Sequence, residues 1–383
     1  MLEDPGDLPK IVVLGGYGFF GGLIVRDLLE HTRTRILIAG RHQPEKPLAD
    51  PRVRFVRADL NDFPTLEAAL QGAFALIHCA GPYQASAMNP LHAAIASGVH
   101  YLDLAECRDF ARRIHECHDA ARHANIAVFT GMSVVPGLAA LLAQALRMNF
   151  DKIYAIRTFV APGTRGSRGP GTVHSLLAGV GRPMRVPRRG RDVPALGWSE
   201  GEWIRFPPPI GWRRQYLALE TADFDLFQHF FEVQHVEFKA GSEFAWLNRC
   251  LAVVARLRAR TGFPRLEDWT NTLRKGLRVL GRFGTDRGGV LVEVAGTKNG
   301  TQVQQQIAVV ADRNGERIPA VPAALAVAAL LRGEVNDRGV VPLHNWLSPT
   351  KLFQELSRRR LSIWFKPAAD AAWQVCHDPE GCR

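Results

Sequence analysis

Strand-like apolar runs alternate with helical segments over the first third of the chain. The run at 74–78 is almost wholly apolar, which is typical of a parallel strand covered on both faces. The alternation predicts an α/β domain built on a doubly wound parallel sheet. Its strands are predicted at residues 11–14, 35–39, 53–56, 74–78, 99–102 and 126–130, and its helices at 23–30, 63–70, 89–97 and 109–123.

The pattern changes after residue 135. Loops rich in glycine, proline and arginine fill 161–210, and Asn299-Gly300 between two apolar runs is a strong hairpin signal. We expect a first domain at 1–135 and an α+β domain with a mostly antiparallel sheet at 136–383, whose late helices are candidates to pack back on the first domain. In this second part, strands are predicted at 153–160, 213–219, 290–295 and 302–310, and helices at 138–148, 173–177, 243–258, 266–280, 321–331 and near 349–356.

The first predicted strand runs directly into glycines, in the order Ile-Val-Val-Leu-Gly-Gly-Tyr-Gly-Phe-Phe-Gly-Gly over 11–22. Strand, glycine turn and helix form the context in which Gly-x-Gly-x-x-Gly indicates dinucleotide binding. Gly16 would allow the sharp turn, Gly18 the approach of backbone N–H groups to a pyrophosphate, and Gly21 close packing of helix on strand. The helix N-terminus then faces the phosphates. We therefore expect a Rossmann domain in which the cofactor contacts Gly16, Tyr17, Gly18, Phe19, Phe20 and Gly21.

The end of the second predicted strand indicates which dinucleotide binds. An NAD site usually has Asp or Glu there, bonding the ribose 2′-hydroxyl. This chain has Gly40 and Arg41 instead, and an arginine offers a 2′-phosphate a charged fork of donors. The sequence therefore favours NADP(H) over NAD(H). The alternative is that Arg41 is an ordinary surface residue of an arginine-rich protein.

The same glycines also fit the pattern of short-chain dehydrogenases, through Gly15, Gly18 and Gly21. Those enzymes generally need Tyr-x-x-x-Lys, in which the lysine lowers the pKa of the tyrosine for proton transfer. None of the five tyrosines of this chain has a lysine four positions later. Short-chain dehydrogenase chemistry is therefore not expected.

Other positions after the predicted strands are candidate cofactor and substrate contacts. Asp59 and Leu60 follow the third strand, where an adenine would rest, and small residues after the fourth strand leave room for the nicotinamide ribose. These small residues are Cys79, Ala80, Gly81 and Pro82.

Hydride chemistry also needs a proton donor near the same crevice. Tyr101, Asp103 and Glu106 lie at or after the fifth predicted strand and are the catalytic candidates. For Asp103 the alternative is a helix cap or a loop hydrogen bond. Tyr83, His174 and Arg185 are candidate substrate contacts.

Charge is concentrated in one stretch of this basic chain, whose net charge is +11. Residues 152–191 contain nine basic residues and no acid. The stretch could recognise a carboxylate or phosphate of a substrate, an anionic membrane or nucleic acid, or it could be a solvated loop. No nucleic-acid motif accompanies it, so nucleic acid ranks last. Its densest part comprises Arg182, Arg185, Arg188, Arg189 and Arg191.

Compartment and metal content can also be judged from the sequence. No apolar run approaches the ~20 residues of a membrane span, and the acidic start lacks the features of a signal peptide. A cytoplasmic location with reduced cysteines is therefore expected. Neither the cluster at 115–123 nor that at 376–382 has a common zinc spacing, so no metal site is predicted.

Taken together, these motifs resemble the saccharopine dehydrogenase-like oxidoreductases over nearly the full length. The matching segments are Gly-Gly-Tyr-Gly-Phe-Phe-Gly at 15–21, Ala-Gly-Arg at 39–41, Cys-Ala-Gly-Pro-Tyr at 79–83, Gly-Val-His-Tyr-Leu-Asp-Leu at 98–104, Gly-Met-Ser-Val-Val-Pro-Gly at 131–137, Gly-Thr-Val-His-Ser-Leu-Leu at 171–177 and Pro-Ala-Ala-Leu-Ala-Val-Ala-Ala-Leu-Leu at 322–331. The resemblance implies NADP(H) or NAD(H), an α+β domain that binds substrate, a homodimer, and hydride transfer between a secondary amine and an imine. Saccharopine enzymes usually have Gly-Glu after the Tyr-x-Asp segment, whereas this chain has Leu104-Ala105-Glu106, which argues against saccharopine itself.

Three functions are compatible with these observations. The first is an NADP-dependent oxidoreductase acting on a C–N, C=N or C=O bond of a small anionic metabolite. The second is a non-catalytic NADP-binding sensor or scaffold. The third is an enoyl or keto reductase for lipid- or carrier-linked substrates at a membrane surface, supported by the basic stretch and the apolar segment 318–331. We favour the first, and peripheral membrane contact is not favoured.

Overall fold

The structure is a computed structural model that describes residues 8–83, 87–165, 169–262 and 265–382. The acidic first seven residues, on which the exclusion of a signal peptide rests, and Arg168 of the basic stretch lie outside the described residues. No helix in the described ranges has the length and apolar character needed to cross a bilayer.

Strands and helices are numbered in chain order. The strands are β1 Lys10–Leu14, β2 Arg35–Gly40, β3 Val53–Arg57, β4 Ala75–His78, β5 His100–Asp103, β6 Ala127–Phe129, β7 Lys152–Ala161, β8 Pro183–Arg188, β9 Arg191–Leu196, β10 Glu202–Arg205, β11 Trp212–Leu217, β12 His235–Ala240, β13 Gly288–Lys298, β14 Thr301–Ala311, β15 Gly339–Val340, β16 Ser362–Lys366 and β17 Gln374–Cys376. The helices are α1 Phe19–His31, α2 Phe63–Leu70, α3 Asn89–Ala96, α4 Arg108–Glu116, α5 His118–His123, α6 Ala139–Leu146, α7 Pro170–Gly179, α8 Asp223–Phe231, α9 Ala245–Thr261, α10 Thr270–Leu280, α11 Val321–Leu331 and α12 Pro349–Arg358.

The first compact unit contains the described residues up to Ser133 together with Pro319–Trp346. Its sheet is parallel throughout, in the order β15-β6-β5-β4-β1-β2-β3. The chain runs outward from β1 to β3 and then starts again on the other side at β4, so the strand order reverses between β1 and β4. Ligands bind at such a reversal in open α/β sheets. The predicted Rossmann fold is therefore confirmed.

The segment returning at 319–346 completes this unit. Helix α11 is buried from Val321 to Leu330 and packs on α1, while β15 pairs with β6. An apolar helix with no polar face belongs in a protein interior. The apolar segment 318–331 is thus a core helix, and the expectation that it assists membrane contact is wrong.

The second compact unit contains Val134–Ile318 and Leu347–Arg383. Its main sheet has the order β10-β11-β12-β7-β13-β14-β16-β17, in which the pair β12–β7 is parallel and the other pairs are antiparallel. Asn299 and Gly300 both have positive φ between β13 and β14, as a tight hairpin requires. The predicted α+β architecture with a mostly antiparallel sheet is confirmed.

Two local predictions were wrong. The stretch 161–210 contains β8 and β9, which form a hairpin, and also β10, where loops were expected. The turn of that hairpin is Arg189-Gly190, and both residues have positive φ, which suits a two-residue turn of the primed type. The helix expected at 109–123 is broken into α4 and α5 at Cys117.

An unusual cluster of charges lies on one face of the main sheet. We call it the sheet ion network. At its centre Glu237 is contacted by Arg157 Nε at 3.1 Å, Arg188 Nη2 at 2.6 Å and Lys239 Nζ at 3.5 Å. Its other acids are Glu293, 2.9 Å from Arg157, and Glu202, which pairs with both Arg157 and Lys239. A charge taken out of water must be compensated by an opposite charge. In the sheet ion network the compensating charges come from neighbouring strands.

Candidate functional site

The glycine turn after β1 starts one residue earlier than predicted. Gly15, with φ of +81°, makes the sharp turn, and its N–H donates to the carbonyl of Ala39 at 2.8 Å. Gly16 instead lies against β2, where a Cβ would approach Ile38 to 2.9 Å. The role assigned to Gly16 from the motif therefore belongs to Gly15.

The next glycines allow α1 to approach the turn closely. A Cβ on Gly21 would lie 2.3 Å from the carbonyl oxygen of Gly15, and a Cβ on Gly18 would lie 3.0 Å from the same atom. Helix α1 begins at Phe19 with no side-chain cap, so the backbone N–H groups of its first turn remain available to an anion. The half-buried ring of Tyr17 lies 6.2 Å from that of Phe55, and Phe20 stacks edge-on against Phe19.

The carboxyl ends of β2 and β3 carry two exposed arginines. Arg41 directly follows β2, as predicted. Arg57 ends β3 in register with Gly40, and Ala58 N–H donates to the Gly40 carbonyl at 3.0 Å. Two guanidinium groups therefore originate beside the point at which an NAD site would carry an acid.

Asp59 and Leu60 form the loop after β3. The Asp59 carboxylate accepts from the Asn61 N–H at 3.0 Å, and the Leu60 carbonyl accepts from Asn89 Nδ2 at 3.1 Å. These bonds hold the loop at the carboxyl edge of the sheet, where the sequence placed it.

The segment 79–82 lies next to the glycine turn. The Cys79 N–H donates to the carbonyl of Leu14 at 2.8 Å, and a Cβ on Gly15 would lie 3.1 Å from Ala80 N. Gly81 and Pro82 are exposed beyond it. Burial raises the pKa of the Cys79 thiol, so this cysteine is neutral and unsuited to nucleophilic chemistry. The structure thus brings together the glycine turn and the predicted nicotinamide segment.

His78 links the two candidate tyrosines in the interior of the unit. Burial lowers the pKa of His78 to about 4, so its ring is neutral and carries one N–H. Its Nε2 lies 3.1 Å from the carbonyl of Ala80, which can only accept, so Nε2 is the donor. Nδ1 then accepts the hydroxyl proton of Tyr101, 3.1 Å away. Tyr83 is also buried, and its hydroxyl donates to the His78 carbonyl at 2.7 Å.

Asp103 fastens two strand ends together. Its Oδ1 accepts from the N–H groups of Ala105 and Gly131, both at 2.9 Å, and from Thr130 Oγ1 at 3.0 Å. Its Oδ2 accepts no hydrogen bond from the described residues. Burial raises the pKa of Asp103 to about 6 in spite of these bonds. This geometry matches the alternative prediction for Asp103, in which its side chain accepts hydrogen bonds from a loop.

Glu106 occupies a different position in the same loop. Its side chain is half-buried, whereas those of Tyr101 and Asp103 are fully buried. Burial raises the pKa of Glu106 above that of a free glutamate. Of the three catalytic candidates, Glu106 is the one that solvent can reach.

The remaining predicted substrate residues belong to the second unit. His174 is half-buried in α7. Arg185 is exposed on β8, and its backbone N–H donates to Glu220 Oε1 at 2.5 Å. Arg188 is held by Glu200 and Glu237, so it is not a free anion clamp. Arg189 and Arg191 are exposed at a cleft of about 1210 Å³ over the sheet ion network.

Comparison with known proteins identifies the first unit. Residues 11–129 match the family described as saccharopine dehydrogenase NADP binding domain. The family resemblance predicted from the motifs is confirmed, and the matched range ends with β6.

Solved structures show that the fold likeness extends beyond the NADP binding domain. Apo saccharopine dehydrogenase (L-Glu forming) from Saccharomyces cerevisiae matches with a TM-score of 0.66 at 14% identity, over 94% of this chain and 100% of that one. C. glutamicum DAP dehydrogenase in complex with DAP matches with a TM-score of 0.46 at 15% identity, over 91% of this chain and 98% of that one. No curated protein sequence matches the chain.

Sequence reasoning missed two residues of the NADP binding domain. His78 was taken only as the end of a buried strand, although a histidine among apolar residues could have marked a buried hydrogen-bond centre. Arg57 was missed because its position beside Gly40 depends on the register of β2 and β3. Among the described residues, no group of three or more His, Cys, Asp or Glu could hold a metal ion.

Proposed function

We propose that the protein is an NADP(H)-dependent oxidoreductase that moves a hydride to or from a C–N, C=N or C=O bond of a small anionic metabolite. The observation that carries the proposal is the uncapped glycine turn at the sheet reversal, within a domain of the saccharopine dehydrogenase NADP-binding family. The bound dinucleotide would supply the hydride, and the protein would supply its position and a proton. The fold shared with the yeast enzyme supports this reading.

The preference for NADP(H) rests on the two exposed arginines. Arg41 and Arg57 both start at the edge where the adenosine ribose lies in Rossmann domains, and the β2 end has no acid that would repel a 2′-phosphate. Arginine binds phosphate with paired, charge-assisted hydrogen bonds. We infer that Arg41 holds the 2′-phosphate and that Arg57 adds positive charge beside it.

Glu106 is the proton donor that we propose among the three catalytic candidates. A general acid must reach the substrate, and burial raises the pKa of Glu106, which shifts its titration toward the pH range in which an acid is useful. Tyr101 commits its proton to His78, and Asp103 is occupied by three donors. Both would then act by keeping the strand ends in place.

The first test compares the affinities of NADPH and NADH for the wild type, Arg41→Ala and Arg54→Ala. Arg54 is the matched control, since it is an exposed arginine of the same region that points to the other face of β3. Arg41→Ala should weaken NADPH binding roughly tenfold to a hundredfold, the worth of a charged hydrogen bond, and leave NADH unchanged. Arg54→Ala should change neither. Equal affinities of the wild type for both cofactors would contradict the NADP preference, and no binding of either would refute the oxidoreductase.

A small anionic substrate, a homodimer and a cytoplasmic location remain predictions. The exposed Arg189 and Arg191 are compatible with an anionic substrate. Turnover of NADPH with a panel of amino acids, oxo acids and aldehydes would identify the bond that is reduced. Absence of turnover with intact NADPH binding would favour a non-catalytic sensor or scaffold.

A further inference from the structure

Helix α9 and the residues that flank α10 expose large apolar side chains to solvent. On α9 these are Trp246, Val253 and Leu257, which are 55%, 52% and 54% exposed. Trp269, just before α10, and Phe283, just after it, are 58% and 78% exposed. Single exposed apolar residues are ordinary, but a group of them marks an interaction site.

The apolar residues of α9 share one face with arginines. The positions exposed along this face are three or four residues apart, which places them in one row on a helix. The opposite face is buried through Asn248, Ala252 and Ala255, and Asn248 Nδ2 donates to the Arg214 carbonyl at 3.1 Å. We call the exposed row the arginine–tryptophan face; it comprises Trp246, Arg249, Val253, Arg256, Leu257 and Arg260.

The charge on these helices is of one sign. Neither α9 nor α10 contains an acid. Arg258 pairs with Glu267 at 3.5 Å and donates to the Val180 carbonyl, so its guanidinium group already has partners within the protein. The other basic side chains of the two helices form no salt bridge with the described residues and remain available to an external anion; they are Arg249, Arg256, Arg260, Arg274, Lys275 and Arg278.

The exposed apolar residues are not needed for packing between the helices. Leu247 and Leu251 of α9 line an apolar cavity together with Leu273 and Leu277 of α10. The inward leucines thus supply the local core, while the tryptophans and Phe283 lie on the outside. The outer residues therefore remain available to an external partner.

We propose that the arginine–tryptophan face binds an anionic lipid membrane. Interfacial helices place arginines and lysines next to Trp, Phe and Leu, so that the apolar residues enter the acyl boundary while the cations meet anionic headgroups. Tryptophan prefers this boundary. A second copy of the chain is disfavoured as the occupant, because two acid-free faces would repel each other. The protein would thus lie on a membrane without spanning it.

The test measures flotation of the full-length protein with vesicles. One set contains phosphatidylserine and phosphatidylcholine in equal parts, and the other contains phosphatidylcholine alone. We expect binding to the first set that weakens as salt is added. The variant Arg249→Gln with Arg256→Gln and Arg260→Gln should bind less tightly by about fivefold for each arginine removed. Trp246→Ala with Leu257→Ala should also weaken binding at least tenfold, because the apolar area that both side chains would bury in the acyl boundary is lost.

A control removes the same number of charges elsewhere, through Arg122→Gln, Lys298→Gln and Arg313→Gln, all at exposed positions. It should bind the anionic vesicles like the wild type. An equal loss in this control would show diffuse attraction by net charge and would overturn the proposal. So would the absence of binding at low salt, or a wild-type dimer that the Trp246→Ala and Leu257→Ala variant converts to a monomer. Circular dichroism and thermal midpoints check that each variant is folded.

Discussion

At the scale of single residues, the glycine turn is defined by distances that leave no room for a methyl group. Gly21 and Gly22 are neighbours in α1, yet a Cβ on Gly21 would lie 2.3 Å from the Gly15 carbonyl oxygen, whereas one on Gly22 would lie 3.6 Å from that of Gly16. The first distance is a backbone clash and the second is ordinary contact. Alanine at Gly21 and at Gly22 therefore adds the same methyl group to neighbouring positions of α1, with a backbone clash at the first and none at the second.

Gly21→Ala should shift α1 away from the turn and destabilise the protein by about 1–3 kcal/mol, the usual cost of overpacking. Because the N–H groups at the start of α1 move with the helix, NADPH affinity should fall at least tenfold. Gly22→Ala should keep the affinity and gain roughly 0.5–1 kcal/mol from the better helix former. Titration with NADPH and urea unfolding measure both effects; similar behaviour of the two variants would contradict the close approach.

At the scale of elements, the sheet ion network couples strands that are far apart in sequence. Burial by itself would raise the pKa of Glu237, but the hydrogen bond with His235 and the charges of Lys239 and Arg157 outweigh it and hold the pKa well below its usual range. A carboxylate with a lowered pKa stabilises the folded state above its unfolded pKa of 4.5, and that stabilisation disappears as the pH falls through its folded pKa.

Glu237→Gln should destabilise the protein by about 3 kcal/mol, because it leaves Arg157, Arg188 and Lys239 without their shared counter-charge. Glu200→Gln removes a partner of Arg188 at the exposed rim and should cost at most about 1 kcal/mol. Urea unfolding at neutral pH compares the two variants. Repeated below pH 4.5, the difference between wild type and Glu237→Gln should shrink; a constant difference would show that charge is not the cause.

At the scale of the whole molecule, the chain leaves the first unit at Ser133 and returns to it at Pro319. Helix α11 is separated from β1 by some three hundred residues of sequence, yet it packs on α1, so we expect the first unit to depend on it. Sequence proximity is a poor guide to which residues stabilise the cofactor site.

Leu325→Ala tests this dependence, because Leu325 is buried in α11. The cavity should cost about 2–4 kcal/mol and increase hydrogen exchange in β1 and α1 more than in β13 and β14. Leu257→Ala, at an exposed position of α9, should leave stability within about 0.5 kcal/mol of the wild type. Faster exchange in the second unit alone would show that α11 does not support the first.

The sequence by itself determined the features that follow from neighbouring residues. Apolar runs locate the parallel strands, the glycines after β1 indicate the dinucleotide turn, and Asn299-Gly300 specifies a hairpin, since backbone conformation and burial period are local properties. The helix over Phe63–Leu70 was predicted at its observed bounds. The family resemblance rests on the same short segments.

Only the tertiary structure decided what each side chain meets. Tyr101 and Asp103 looked reactive at a strand end, but His78 and the Gly131 loop occupy them. The polar strands β8 and β9 carry too little apolar pattern to be predicted. The register of β2 and β3 places Arg57 beside Gly40. The apolar segment 318–331 lies in the core, whereas the outer face of α9 is exposed to solvent. Contacts and exposure depend on residues distant in sequence, and local patterns do not contain them.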